Sequence, residues 1–217
     1  MSLFVTGTDT GVGKTSFTVW LLQRLRERGL RVAGYKPICC GDRADATHLQ
    51  AASSPGLTID EVNPIWLRTP AAPLTAARAE QRFIDLASLR EGFVRLKSGF
   101  DFVAVEGVGG WMVPITARYW SSDLARDLGL PVLVVAANRL GCLNHILLTV
   151  RAIEAVPLKC AGVVLNDLDV DGGLAAANNA AILRACLTLP IVPQFHPENT
   201  QIAGELMEMV PDISGRL

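Results

Sequence analysis

Residues suited to handling phosphate stand together near the start of the chain. Gly7, Gly11 and Gly13 punctuate the run Phe4-Val5-Thr6-Gly7-Thr8-Asp9-Thr10-Gly11-Val12-Gly13-Lys14-Thr15, which reads as a strand, a turn and a helix start. Glycine lets the backbone come close to phosphate oxygens. Successive N–H groups and a helix N-terminus, worth about half a positive charge, face an anion there. Thr10, Gly11, Val12, Gly13, Lys14, Thr15 and Ser16 are therefore candidate contacts for a nucleoside triphosphate, with the Lys14 ammonium on its β and γ phosphates and the Thr15 hydroxyl on Mg²⁺. The spacing departs from GxxxxGK[ST] by one residue, because Thr8 stands where the first glycine belongs and Gly7 precedes it. A ligand-free helix cap is the alternative reading, and it leaves the lysine and threonine as accidents.

A second acidic element belongs on a neighbouring strand. The apolar run Phe102-Val103-Ala104-Val105 ends in Glu106, a candidate Mg²⁺ ligand. Gly107, Val108, Gly109 and Gly110 follow, and their N–H groups would line the carboxyl edge of a sheet, where open α/β folds bind ligands. The plainer alternative for Glu106 is a solvated strand end.

The elements that must position these residues are legible as alternating patterns. Short valine-rich runs at residues 3–6, 32–36, 102–106, 131–136 and 160–165 are candidate parallel strands. Helical patterns fall at 14–28, 44–52, 84–96, 123–128, 144–155 and 174–186. Such alternation implies right-handed βαβ crossovers, hence an α/β fold with a mostly parallel central sheet and helices on both faces. The helix behind the loop should turn Val19, Trp20, Leu21 and Leu25 inward and Arg24, Arg26, Glu27 and Arg28 outward, until Gly29 stops it. Residues 53–83, with prolines at 55, 64, 70 and 73, form an irregular excursion of the length used for a lid or a substrate wall.

Composition narrows the function class. Half of the 217 residues are hydrophobic, 19% are charged and the net charge is -1, with no basic cluster longer than the mixed surface from Arg24 to Arg31. A polyanion such as nucleic acid is not an expected partner. The five cysteines, Cys39, Cys40, Cys142, Cys160 and Cys186, are odd in number and lack CxxC spacing, so they read as reduced cytosolic thiols. No stretch approaches the ~20 apolar residues of a membrane helix, and Met1 runs straight into the first strand, so no membrane contact and a cytoplasmic location are expected.

Taken together, GTDTGVGKT at 7–15, GYKP at 34–37, VEGVGGW at 105–111, LPVLVVA at 130–136, LGCLNH at 140–145 and VVLND at 163–167 make the chain similar to the dethiobiotin synthetase family over nearly its whole length. The resemblance implies a single P-loop NTPase domain over residues 1–217, with ATP and Mg²⁺ as cofactors and a homodimer as the assembly. It also implies 7,8-diaminononanoate and CO₂ as substrates. One amine would capture CO₂ as a carbamate, ATP would phosphorylate it, and the second amine would close the ureido ring.

By the same resemblance Lys36, the lysine of GYKP, is catalytic together with Lys14; the plain alternative is a lysine snorkelling from a strand end. Asp45 joins Thr15 and Glu106 on the metal, with Asp42 as its competitor. Gly107, Val108 and Gly109 border the nucleotide. Asn166 and Asp167 match the adenine-reading pair, against the alternative of an Asx turn. Val192, Pro193 and Gln194 fall where the family has a turn beside the base, although the family's glycine is missing. Lys36, Cys40, Gly109 and Gly110 match substrate contacts, and Leu143 and Asn144 match the segment that reaches across the dimer. His145 is expected to pack within its helix.

Cys40 stands where many relatives have a serine or threonine, and Leu74 where a histidine is common. Two other classes share such a loop. A partitioning or division-site ATPase would carry a lysine where Asp9 stands, and another amide ligase or a small-molecule kinase would use the same loop, the kinase without CO₂.

Overall fold

A computed structural model describes residues 1–168 and 173–196 of the chain. Strand β1 (Ser2–Gly7) feeds helix α1 (Lys14–Glu27) and then strand β2 (Val32–Tyr35). An excursion follows, made of β3 (Ile38–Cys40), α2 (Ala44–Ala52), α3 (Ile59–Val62), β4 (Ile65–Leu67) and α4 (Pro73–Ala79). The chain returns through α5 (Leu86–Gly99) to β5 (Phe102–Gly110) and a small hairpin, β6 (Pro114–Thr116) with β7 (Tyr119–Trp120). It closes with α6 (Ser121–Leu128), β8 (Val132–Ala137), α7 (Cys142–Glu154), β9 (Cys160–Asn166), α8 (Gly173–Cys186) and β10 (Ile191–Phe195).

Six strands pair in the order β10-β9-β8-β1-β5-β2, and every pairing is parallel. All six residues of β1 and of β8 and all seven of β9 are buried, because helices cover both faces and leave no wet side that would demand alternation. Neighbouring residues nevertheless serve different cores. Leu3 and Val5 meet Phe17, Leu21 and Leu25 of α1 and Leu49 of α2, whereas Phe4 between them joins Phe93 of α5, Leu124 of α6 and Ile146 of α7. Each such buried leucine stabilises the fold by about 1.5–3 kcal/mol relative to exposure.

Strand order decides where a ligand can go. From β1 the chain moves outward to β2, steps back to β5, and then crosses to β8 and beyond on the other side of β1. Helices therefore leave β1 and its neighbours in opposite directions, which opens a crevice beyond their carboxyl ends. The glycine loop after β1 lies in that crevice.

Several expectations need correction. Strand β5 does not stop at Glu106. After an irregularity between Val5 and Gly7 it pairs again as Gly7 with Gly110, and a Cβ on Gly110 would sit 3.4 Å from the Gly7 carbonyl oxygen. Residues 190–194 do not form a turn: Ile191 and Val192 pair with Val163 and Val164, so β10 is a sixth strand. Its β-branched residues suit a buried strand better than a loop. The excursion at 53–83 is not irregular chain either, since β4 pairs in parallel with β3 and α4 follows. Helix α7 begins at Cys142, two residues before its expected start, because Gly141 at φ 90° caps it. Within α1, Val19 and Arg24 are half-buried, while the other expected orientations hold.

Candidate active site

The loop between β1 and α1 owes its shape to Gly11 and Gly13, at φ 73° and 90° in the left-handed region that side chains avoid. A Cβ at Gly13 would also collide with the Asn166 amide, which donates to the Val12 carbonyl at 3.0 Å and ties the end of β9 to the loop. Beneath the loop the Lys14 ammonium donates to the Asp9 carbonyl at 3.0 Å. Burial, and then the nearby charge of Lys36, pulls Lys14 down to about 8, against the upward pull of Glu106, Asp45 and Asp9.

Four polar side chains from four elements meet beside Lys14. Lys36 follows the end of β2, and its ammonium lies 2.6 Å from Glu106 Oε1, 3.0 Å from Asp45 Oδ2 and 3.2 Å from the Gly107 carbonyl oxygen. Thr15, in the first turn of α1, donates its hydroxyl to the same Glu106 Oε1 at 2.8 Å. Burial alone would discharge Lys36, but Glu106 and then Asp45 outweigh it and hold the ammonium well above the ordinary lysine range. Burial also works against the Asp45 carboxylate, yet the Lys36 charge, with hydrogen bonds from Lys36 and Thr15, keeps its pKa below the ordinary aspartate value.

Glu106 is fully buried, and its second oxygen, Oε2, has no hydrogen-bond partner. A buried carboxylate oxygen left unpaired is costly unless a ligand completes it. Thr15, Asp45 and Glu106 offer three hard oxygen donors, a set that suits Mg²⁺, which takes one or two carboxylates and leaves the rest of its shell to phosphate oxygens and water. Among the described residues no group of three or more His, Cys, Asp or Glu could hold a metal.

Lys14, Thr15, Lys36 and Asp45 open onto a cavity of about 720 Å³, with Glu106 buried behind them. Thr10, Gly11, Gly13, Lys14, Thr15 and Ser16 form its loop side, and Lys36, Cys40, Asp42 and Asp45 form a second side. Val108, Gly109 and the 70–73 stretch complete it. The structure thus brings together most of the residues singled out in the sequence. Val12 is buried under the loop, and Gly107 faces Lys36 through its carbonyl. Asp42 is exposed and accepts from the Ala44 N–H at 3.1 Å at the start of α2, whereas Asp45 reaches the lysine.

Other expected residues lie elsewhere. Gly110 faces a smaller hollow with Trp111 and α7. Leu143 is half-buried against the core, and Asn144 is exposed on α7; neither lines the large cavity of its own chain. The Val192 side chain is wholly buried, and Pro193 and Gln194 lie within β10 outside the lining of the cavity, with Gln194 at φ 51°. Asp167 accepts from the Asn138 amide at 2.8 Å, and the Asn166 amide holds the loop instead of closing an Asx turn. His145 is exposed and does not pack. The sequence reading overlooked Cys39, Leu168, Arg43 and Asn63; the first two line the cavity, and the last two brace it from behind.

Comparison with known proteins fits this geometry. A family model described as AAA domain matches residues 1–204. The chain is 42% identical over 194 residues to the ATP-dependent dethiobiotin synthetase of Akkermansia muciniphila, covering 89% of this chain and 91% of that one. It is 43% identical over 197 residues to the enzyme of the same name from Aromatoleum aromaticum, covering 87% of each. Among solved structures, cobyrinic acid a,c-diamide synthase from Mycobacterium smegmatis with bound ADP and magnesium aligns with a TM-score of 0.56 at 17% identity over 96% of this chain and 90% of its own. The cell division ATPase MinD of Pyrococcus furiosus aligns with a TM-score of 0.56 at 18% identity over 100% of this chain and 92% of its own. At such identities the solved structures speak for the fold, and the two curated relatives speak for the family. The chain belongs to the ATP-dependent dethiobiotin synthetase family.

Proposed function

We propose that the protein joins CO₂ to 7,8-diaminononanoate and closes the ureido ring of dethiobiotin at the expense of ATP. The observation that carries this reading is the meeting of Lys36, Glu106, Asp45 and Thr15 beside the loop lysine Lys14, at the mouth of a cavity large enough for two substrates. One amine of the diamine attacks CO₂ and loses a proton, giving a carbamate. A carbamate oxygen then attacks the γ phosphorus of ATP and ADP departs, leaving a carbamic-phosphoric anhydride. The second amine attacks the carbonyl carbon, and phosphate leaves in place of oxide, a far poorer leaving group.

Little covalent work falls to the protein in such a sequence, so its residues act by position and charge. Lys14 and the amides of Gly11 to Ser16 hold the triphosphate. Lys36, kept charged by two carboxylates, draws the carbamate oxygen and the transferring phosphoryl group together. Thr15, Asp45 and Glu106 would hold Mg²⁺, which when bound neutralises charge on the phosphate oxygens. Gly107, Val108 and Gly109 border the phosphates, and Asn166, which fastens the phosphate loop, is assigned with Asp167 to the base by the family resemblance alone. Cys40 and Gly109 flank the diamine, and the prolines at 70 and 73 wall its aliphatic chain.

The exposed Leu140, Leu148 and Met112 around α7 support a homodimer that carries Leu143 and Asn144 toward the partner's diamine. One domain over residues 1–217, residence in the cytoplasm and no nucleic-acid or membrane partner complete the proposal. A net charge of -1 supports it, and among the described residues no helix is long and apolar enough to cross a membrane.

Purified protein with Mg-ATP, bicarbonate and the diamine should release ADP only when all are present. ADP release that ignores bicarbonate or the diamine would reject the reading. Lys36→Ala should lower turnover about a thousandfold while MgATP affinity stays within about threefold. An undiminished rate would remove Lys36 from the mechanism.

A further inference from the structure

Lys36 lies one residue beyond β2, and β2 is the edge strand of the six-stranded sheet. Its ladder with β5 ends at Tyr35 opposite Val105, so sheet pairing no longer fixes the backbone where the lysine side chain starts. A long side chain amplifies any tilt of its own peptide. Something outside the sheet must hold that peptide if the ammonium is to stay between two carboxylates.

The 62–65 segment does so. The Lys36 N–H donates to the Val62 carbonyl at 2.8 Å, and the Lys36 carbonyl accepts from Asn63 Nδ2 at 2.7 Å. Asn63 is fully buried and uses both ends of its amide. Nδ2 also donates to the Ile65 carbonyl at 3.0 Å, and Oδ1 accepts from Arg43 Nε at 2.9 Å. Arg43 grips the same residue a second time, its Nη2 reaching the Asn63 carbonyl at 2.6 Å and Asp60 at 2.7 Å. Its guanidinium lies over the Trp66 ring at 5.4 Å, and the Trp66 N–H donates to the Gly41 carbonyl at 2.8 Å. Arg43 is the residue at which α2 begins, and Asp45 stands in the first turn of that helix.

One buried amide therefore touches both arms of the site. We infer that Asn63 is a positioning residue for phosphoryl transfer: it holds the Lys36 peptide on one side and the Arg43 guanidinium on the other, and so sets the separation of the Lys36 ammonium from the Asp45 carboxylate. The inference rests on the roles proposed above for Lys36 and Asp45. An aliphatic side chain of similar size would fill the space but could neither donate to one arm nor accept from the other.

The test uses the full chain as wild type, Asn63→Ala, Arg43→Lys and Lys36→Ala. Each is assayed for dethiobiotin formation and for MgATP binding by titration calorimetry, with rates expressed per nucleotide-binding site so that any unfolded fraction drops out. Asn63→Ala should lower kcat per site about a hundredfold, the effect expected of misplacement by an ångström, with MgATP affinity within about threefold of wild type. A purely structural role would reduce the number of sites and the Tm but leave the rate per site untouched, and that result overturns the inference.

Should Asn63→Ala yield no folded protein, Arg43→Lys decides, because it keeps the charge but loses the two-pronged grip on Asn63. The Mg²⁺ concentration for half-maximal rate should then rise about tenfold as Asp45 drifts; an unchanged requirement overturns the inference. Lys36→Ala separates the two readings. A wild-type rate from it removes the lysine's role and this inference with it, whereas a rate lost there but kept per site in Asn63→Ala overturns the inference alone.

Discussion

Two lysines, one under the phosphate loop and one at the edge of the sheet, share a small volume and are treated differently by it. Lys36 has two carboxylates within salt-bridge distance and stays charged. Among the described residues Lys14 has only a backbone carbonyl within hydrogen-bond distance, and burial brings it down to about 8 from 10.5. Between those two values the unfolded chain holds a proton that the folded chain has released, so this group makes folding more favourable as pH rises through that window. A bound triphosphate would reverse the shift by supplying the missing counter-charge. At pH 8, where the triphosphate is already ionised, MgATP binding should take up about half a proton, seen as a difference in calorimetric heats between buffers of unlike ionisation enthalpy. Proton release, or no exchange, would show that Lys14 does not meet the phosphates. Cys40 illustrates a gentler effect: burial pushes its thiol up to about 11, so at neutral pH it offers the substrate only a weak S–H donor.

Among the elements, the loop after β1 depends on glycine and on a contact from a distant strand. Gly13 must be glycine for two separate reasons, its φ of 90° and the Asn166 amide that occupies the place of a Cβ. Gly13→Ala should therefore weaken MgATP binding by about 5- to 150-fold, the equivalent of the roughly 1–3 kcal/mol that such backbone strain costs, while the chain stays folded by far-UV circular dichroism. Wild-type affinity in that variant would mean that the loop needs neither the left-handed turn nor the contact with β9. Strand β10 is fastened to the same helix: Phe195 packs edge-on against Phe17 at 5.4 Å and Trp20 at 5.6 Å. Loop, helix and the far edge of the sheet are thus mechanically one unit on that face.

For the whole molecule, the proposed homodimer can be tested at the exposed apolar residues around α7. Leu140 is 87% exposed, Leu148 59% and Met112 58%, and Leu148 and Met112 border the hollow beside Gly110 and Trp111. A second copy of the chain would bury them and bring Asn144 toward the opposite cavity. The double variant Leu140→Glu with Leu148→Glu should sediment as a monomer and lose turnover about tenfold or more, while each chain still binds MgATP. A monomer that keeps its full rate would refute the shared site, and a wild-type monomer would refute the dimer.

Much of this was legible in the residues themselves, because phosphate chemistry is local. Glycines, lysine and threonine within nine positions mark a loop whose backbone can face a phosphate, and apolar runs of four to six residues between helical patterns mark a parallel sheet. Even Glu106 announced itself, as a lone carboxylate at the end of a buried run. What the letters could not disclose depends on contacts between distant segments. The turn expected near residue 192 became a strand because Val163 and Val164 lay waiting beside it, and His145 proved exposed because α7 turns Cys142, Ile146, Val150 and Ile153 inward and leaves it off that stripe. Nothing in the sequence marked Asn63, whose amide only folding sets between Lys36 and Arg43. Local periodicity and steric preference determine which elements form; which side chain ends up 3 Å from which is decided only by how those elements pack.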